Sequence, residues 1–165
     1  MRTIALMALA AMAAVTVLAR PSEAQVMLEG TWRLVSDIRT NTTTGATFET
    51  FGPRPQGFIT YTRDGRLAVV IVRSDRPKPQ DMGKITDAER SQLFSSMLAY
   101  AGTYTFDGKT IEHHIDVSWN EVWSGTTQIR DVKIEGDRLI YTTRPSRSPA
   151  DGSVSITTMT WEKVK

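Results

Sequence analysis

The sequence predicts an all-β protein, an antiparallel β-barrel of about eight to ten strands with one helix inserted between strands near residues 86–100. Apolar and polar residues alternate in short segments from residue 30 almost to the C-terminus, which is the period of half-buried strands. Turns that contain glycine separate these segments at the spacing of a barrel or sandwich. Only the stretch around 86–100 departs from this period and has helical spacing instead.

The first 24 residues have the features of a signal peptide. Arg2 supplies a positive charge, an apolar stretch follows over 4–19, and Ser22-Glu23-Ala24 places small residues before a cleavage site. The apolar stretch is shorter than the roughly 20 residues that a membrane-spanning helix needs. We therefore predict a signal peptide over 1–24 and one domain over 25–165, exported to the periplasm or the medium. An uncleaved membrane anchor is the alternative, and no apolar run after residue 24 is long enough to cross a membrane.

Composition excludes several classes of partner and of stabilising bond. The chain has no cysteine, so disulfides cannot support the fold. Its formal net charge is only +2, and lysine and arginine form no run that would follow a phosphate backbone. We therefore expect no nucleic-acid partner.

The strand segments follow one another as a meander. In the first, 30–39, alternation places Trp32, Leu34, Ser36 and Ile38 on one face. A polar loop over 40–45, a short strand near 46–51 and a break at Gly52-Pro53-Arg54-Pro55 come next. Three glycine turns then join the remaining pairs of strands: Asp64-Gly65 joins 57–63 to 66–73, Asp107-Gly108 joins 102–106 to 110–119, and Glu135-Gly136-Asp137 joins 125–134 to 138–144. A final strand over 153–164 closes the meander.

The connection over 74–101 contains the predicted helix. Thr86 and Glu89 have the spacing of a capping box, with Thr86 at the N-cap. Leu93, Phe94, Met97 and Leu98 then recur at helical spacing, which predicts a helix that runs to about Tyr100. Such a long insertion either seals one end of the barrel or acts as a mobile gate.

Two neighbouring strands contain the candidate polar residues. Over 110–119, alternation places Ile111, His113, Ile115, Val117 and Trp119 on one mostly apolar face, which we expect to point inward. Over 125–135 the inward set is Gln128, Arg130, Val132 and Ile134. Pairing of these strands would bring Arg130 close to His113. A buried arginine needs partners, so these groups either satisfy polar atoms of the barrel or anchor a ligand in an apolar pocket.

We expect no metal and no cofactor. The outward residues Glu112, His114 and Asp116 could in principle bind zinc, because alternate strand residues lie about 6.6 Å apart, but a solvated charged face explains them equally well. The chain has no cysteine nucleophile, no Gly-x-Ser-x-Gly and no His-Glu-x-x-His motif.

Five segments resemble a known family. Gly30-Thr31-Trp32 resembles the Gly-x-Trp motif that opens lipocalins, and the order of the segments is similar to that of bacterial and fungal lipocalin-like domain proteins. The segments are GTWRLVS (30–36), GFITYTRDGRLAV (57–69), YAGTYTFDGKTIEHHI (100–115), WSGTTQIRDVKIEGDRLIYTT (123–143) and TMTWEKV (158–164). The resemblance implies a closed or nearly closed antiparallel barrel with a helix between strands, which binds a small and mostly apolar molecule. Its recurring positions are Gly30, Trp32, Tyr61, Gly65, Tyr104, His113, Gly125, Arg130, Leu139 and Trp161.

The chain departs from authentic lipocalins at two points. It has no clear Thr-Asp-Tyr motif, and the basic residue near its end is Lys163 rather than an arginine.

We expect an exported small-molecule-binding protein that holds a mostly apolar ligand, with or without an anionic group, in the barrel lumen. One alternative is an isomerase, cyclase or hydratase that uses His113 as acid and base and Arg130 to stabilise negative charge. Another is a structural or interaction barrel with no ligand. The candidate ligand-binding residues are Trp32, His113, Trp119, Gln128, Arg130, Tyr141 and Trp161.

Overall fold

The computed structural model describes residues 27–148 and 151–165. The predicted signal peptide lies outside these residues. Within them the chain forms ten strands, one α-helix and one short 3₁₀ helix: β1 Gly30–Asn41, β2 Thr47–Glu49, β3 Gln56–Tyr61, β4 Arg66–Val72, α1 Asp87–Ser95, β5 Met97–Phe106, β6 Thr110–Ser118, the 3₁₀ helix Glu121–Trp123, β7 Thr127–Glu135, β8 Arg138–Thr143, β9 Ser146–Arg147 and β10 Val154–Lys163.

Eight of these strands close into an antiparallel barrel. The strands β3 to β8 pair in chain order, β8 pairs with β10, and β1 pairs with both β3 and β10. Closure leaves no open edge in the barrel wall. The two short strands β2 and β9 lie outside this cycle and extend β1 and β10 at one end. The prediction of an all-β barrel with one inserted helix is confirmed.

The two ends of the barrel differ in their connections. The three predicted glycine turns all lie at one end, where Gly65, Gly108 and Gly136 have positive φ angles of 81°, 97° and 58°, a conformation that favours glycine. The longer connections, including those that contain β2 and α1, lie at the opposite end. We call these the turn end and the open end.

Large side chains fill the turn end. Trp32 is buried there and donates its indole N–H to the Leu28 carbonyl oxygen at 2.8 Å. The other members of this packed region include Tyr104, Phe106, Ile111 and Leu139, all buried. This half of the lumen is therefore core.

A β-bulge in β1 reverses the predicted alternation. The pairing with β10 shifts between Leu34 and Ser36, which inserts Val35 as an extra residue. Beyond it Asp37 points inward and is only 2% exposed, whereas Ile38 is 38% exposed. The prediction that Ile38 shares the inner face was therefore wrong, because a single inserted residue exchanges the two faces of a strand.

A second bulge affects β6. Ala101 pairs with Val117 but Gly102 pairs with Ile115, so Asp116 is the extra residue. Val117 is 61% exposed, and its predicted inward position was wrong. The bulge requires a glycine on the partner strand, because a Cβ on Gly102 would lie 1.9 Å from the His114 carbonyl oxygen.

The helix begins as predicted and ends early. The capping box between Thr86 and Glu89 is present, and α1 ends at Ser95. Met97 and Leu98 belong to β5, because they pair with Val72 and Ile71 of β4. The expected helix end near Tyr100 was therefore wrong. None of the residues of α1 is buried, so the helix does not plug the barrel.

Candidate functional site

The open end of the barrel contains a cavity of about 740 Å³. This volume lies within the range of small-molecule sites in proteins, roughly 300–1,000 Å³. Strand ends and the open-end connections supply its wall. The main apolar members are Phe51, Leu98, Trp119, Trp123 and Met159, and the main polar members are Asp37, Arg39, Thr50, Gln128, Arg130 and Arg144.

Aromatic side chains form one side of the cavity mouth. The rings of Trp119 and Trp123 pack edge to face with centroids 5.0 Å apart, and Trp123 also contacts Tyr100. Trp119 donates its indole N–H to the Phe94 carbonyl oxygen at 3.2 Å, which ties the end of α1 to the end of β6. Trp123 was not among the predicted site residues, because it lies in a 3₁₀ helix between strands, where alternation gives no information.

Arg130 lies at the inner end of the cavity. It is 5% exposed and belongs to the inward face of β7 with Gln128, as predicted. Its Nη1 atom donates to the Gln128 carbonyl oxygen at 3.5 Å and to His113 Nδ1 at 3.2 Å. No carboxylate of the described residues forms an ion pair with it. The expected proximity of Arg130 and His113 is confirmed.

His113 is fully buried in a network of tyrosines. Its Nε2 atom lies 2.7 Å from the Tyr61 hydroxyl and its Nδ1 atom 2.8 Å from the Tyr100 hydroxyl. The Tyr61 hydroxyl also bonds to that of Tyr141. Burial, with a smaller contribution from the Arg130 charge, lowers the pKa of His113 well below its ordinary value.

The neutral state of His113 fixes the direction of these bonds. A neutral imidazole has one donor and one acceptor nitrogen. Since Arg130 can only donate, Nδ1 is the acceptor and Nε2–H donates to the Tyr61 oxygen. Tyr61 then donates to Tyr141. Burial also raises the pKa of both tyrosines, so both remain hydroxyl groups.

Asp37 faces the cavity as a consequence of the β1 bulge. Its Oδ1 atom and the hydroxyl oxygen of neighbouring Thr50 are both buried, and in the described part of the chain neither has a hydrogen-bond partner apart from the other. Burial raises the pKa of Asp37, while the hydrogen bond from the Thr50 hydroxyl and the charges of Arg39 and Arg130 act in the opposite direction. Sequence reasoning missed Asp37, because regular alternation would place it outside.

Comparison with family models identifies the architecture. The model of the lipocalin-like domain matches residues 29–164. The chain belongs to the lipocalin-like domain family. No curated protein is significantly similar to it. The lipocalin-like barrel is compatible with small-molecule binding in general, which agrees with a cavity at one end of the lumen.

The lipocalin-like barrel separates the seven predicted site residues into three groups. Trp119, Gln128 and Arg130 line the cavity. Tyr141 and Trp161 lie deeper, around a gap of about 10 Å³ that Arg130 also borders, and His113 lies in the tyrosine network. Trp32 lies in the packed turn end. Whether these residues bind a ligand remains a prediction.

The structure also shows the surroundings of Lys163 and of the outward residues Glu112, His114 and Asp116. Lys163 lies over the Trp32 ring, with Nζ 5.0 Å from the centroid. His114 Nε2 lies 3.9 Å from a Glu112 oxygen, while Asp116 pairs with Arg66. In residues 27–148 and 151–165, no three His, Asp or Glu side chains are grouped to share a metal ion. No helix of the same residues is long and apolar enough to span a membrane.

Proposed function

We propose that this lipocalin-like protein is exported and binds a small, mostly apolar molecule in the open-end cavity, with an anionic or other acceptor group against Arg130. The observation that supports this proposal most directly is the guanidinium itself. It is buried beside a large cavity, and no carboxylate of the described residues lies within ion-pair distance of it. Burial of an unpaired charge is costly, and an acceptor on a ligand would offset that cost.

The surroundings of Arg130 fix its orientation. The Gln128 carbonyl and His113 Nδ1 both accept from Nη1, and the tyrosine network holds His113 in place. A guanidinium held in this way loses little conformational freedom when it binds a carboxylate or a similar group. We therefore assign Arg130 as the anchor and His113 as a positioning residue.

The apolar part of the ligand would lie against the wall formed by Leu98, Trp119, Trp123 and Met159. Aromatic walls with few polar groups are the usual composition of such sites. The N-terminal sequence over 1–24 supports export.

The enzyme alternative receives less support from this arrangement. Both ring nitrogens of His113 already have partners, and the residue is fully buried outside the cavity wall. A general base needs a nitrogen within hydrogen-bond distance of its substrate. A barrel without a ligand is also less well supported, since only the turn end is packed.

Two dyes with one aromatic skeleton test the anchor. The dye 1-anilinonaphthalene-8-sulfonate carries an anionic group that N-phenyl-1-naphthylamine lacks. We expect Arg130→Gln to weaken binding of the sulfonate about tenfold or more, because a charge-assisted hydrogen bond is lost. Binding of the uncharged dye should change little. Arg138→Gln is the matched control, because Arg138 is exposed at the turn end of β8.

A cavity-filling variant tests the location. Thr157 on β10 lines the cavity, so Thr157→Trp should weaken both dyes while the circular dichroism spectrum is unchanged. Wild-type protein that binds neither dye would contradict the proposed function. Equal loss of both dyes in Arg130→Gln would contradict the anchor assignment. Export is tested separately by the N-terminal sequence of the protein in the periplasmic fraction, which we expect to start at Gln25.

A further inference from the structure

A buried carboxyl group with a single hydroxyl neighbour, Thr50, lies on one side of the cavity. Asp37 Oδ1 and Thr50 Oγ1 are both buried; the Thr50 hydroxyl approaches the Asp37 carboxyl group, and neither atom has any other hydrogen-bond partner in the residues that the structure describes. Both residues line the cavity. Buried polar groups are normally satisfied, and each exception needs an explanation. One hydroxyl fills only part of the acceptor capacity of a carboxylate, so the Asp37 carboxyl group on this wall points to a further polar group that the cavity receives.

The charge around Asp37 restricts the chemistry of that group. A carboxylate oxygen accepts hydrogen bonds, so its partner must be a donor. Arg39, Arg130 and Arg144 line the same cavity. Arg144 already pairs with Asp131 at 2.9 Å, whereas Arg39 and Arg130 have no carboxylate partner among the described residues. Two unpaired guanidinium groups disfavour an ammonium ligand, which leaves a neutral donor such as a hydroxyl or an amide N–H.

The bulge in β1 brings Asp37 into the same lumen as Arg130. Asp37 comes from β1 and Arg130 from β7, and both reach the same lumen, where the Arg130 charge acts on the Asp37 carboxyl group. One residue is a pure donor and the other an acceptor. Together they match a polar end that has an acceptor and a donor close to each other.

We propose that Asp37 and Arg130 jointly select an amphipathic ligand whose polar end carries a hydroxyl or amide N–H beside its acidic or carbonyl group. This inference rests on the proposed function and narrows its ligand class. Arg130 binds the acceptor, Asp37 binds the neighbouring donor, and the aromatic wall holds the apolar tail.

Matched fatty acids test this selection. The probes are dodecanoate, 2-hydroxydodecanoate and 3-hydroxydodecanoate, each measured by displacement of 1-anilinonaphthalene-8-sulfonate. We expect at least one hydroxylated probe to bind wild-type protein about tenfold more tightly than dodecanoate, as a hydrogen bond to a charged group contributes about that factor. The two hydroxyl positions cover two spacings between donor and acceptor.

Variants of Asp37 test whether its carboxylate causes the preference for hydroxylated fatty acids. Asp37→Leu should abolish the preference and bind dodecanoate at least as tightly as wild type, because a nearby negative charge is removed. Asp37→Asn keeps an uncharged acceptor and should retain a weaker preference. Asp64→Asn, in an exposed turn at the opposite end, should behave as wild type. Both Asp37 variants should resist urea better than wild type, since a buried carboxylate that forms no ion pair with the described residues is removed.

The outcomes distinguish failure of the selection by Asp37 from failure of the proposed ligand-binding function. Equal affinity of wild type for all three fatty acids would overturn the selection by Asp37 and leave the proposed function intact. A preference that survives in Asp37→Leu would overturn the assignment to Asp37. Failure of wild type to bind any of the fatty acids or either dye would overturn both. The wild-type comparison stands even if a variant does not fold.

Discussion

The buried imidazole of His113 makes the stability of the folded barrel sensitive to mild acid. In the unfolded chain His113 takes up a proton near its ordinary pKa of 6.5, whereas in the barrel burial and the Arg130 charge keep its pKa well below that value. The unfolded state therefore binds more protons below about pH 6.5, and the free energy of unfolding falls as the pH falls.

The size of this effect follows from the ordinary pKa alone. If His113 stays neutral in the folded state, the loss in the free energy of unfolding approaches about 1.4 kcal/mol per pH unit below pH 6.5. Integration gives a loss of about 1.4 kcal/mol between pH 7.5 and 5.5, and of about 2 kcal/mol by pH 5. This is a large fraction of the total stability of a typical domain, about 5–15 kcal/mol.

Urea unfolding followed by tryptophan fluorescence measures the loss. The Asp37 carboxyl group acts in the opposite sense, because its raised pKa lets the folded state bind the additional proton. The comparison is therefore made in an Asp37→Asn background. We expect His113→Asn to be less stable than its parent at pH 7.5, where its hydrogen bonds are lost, and to show a flatter pH dependence down to pH 5.5.

His114→Asn is the matched control, since this neighbouring side chain is partly exposed and faces outward. It should keep the pH dependence of its parent. A parent protein with constant stability between pH 7.5 and 5.5 would refute the reasoning, as would the same slope in His113→Asn.

Two further substitutions test the fold. Gly102→Ala should destabilise the barrel by about 3 kcal/mol or more, because its Cβ would lie 1.9 Å from the His114 carbonyl oxygen; urea unfolding measures this, with the exposed loop change Gly83→Ala as control. Lys163→Met should cost about 0.5–1 kcal/mol through loss of the cation–π contact with Trp32, measured as a lower urea midpoint.

Each of these two predictions has a clear contradicting result. Equal urea midpoints for Gly102→Ala and Gly83→Ala would show that β5 and β6 can move apart without cost. For the cation–π contact, Lys165→Met changes the same charge at a more exposed position. If both lysine variants lose the same stability, the effect belongs to net charge and not to Trp32.

Much of the candidate site could be predicted from the alternation of β7. Gln128 and Arg130 share the inner face as expected, and the register of β6 against β7 places Ile111 opposite Arg130 and His113 opposite Gln128. In a regular strand the face on which each side chain lies can be predicted from the sequence, because side chains alternate with a period of two. The proximity of Arg130 and His113 follows from that period and from the order of the strands.

The residues that escaped prediction lie where the period is interrupted. Val35 and Asp116 are extra residues in their strands, and each reverses the faces beyond it. Ile38 and Val117 therefore face outward, and Asp37 faces the cavity. Nothing in the local sequence around Val35 marks the bulge, since its position depends on the register with β10.

The sequence by itself determined the barrel, its glycine turns, the capped start of α1 and the inward position of Arg130, because all of these depend on local periodicity and on turn or cap chemistry. Only the tertiary structure decided that the turn end is packed and the open end holds a cavity, that His113 belongs to a buried network of tyrosines, and that Asp37 reaches the lumen. These features depend on barrel closure and strand register, which are set by contacts between residues far apart in the chain.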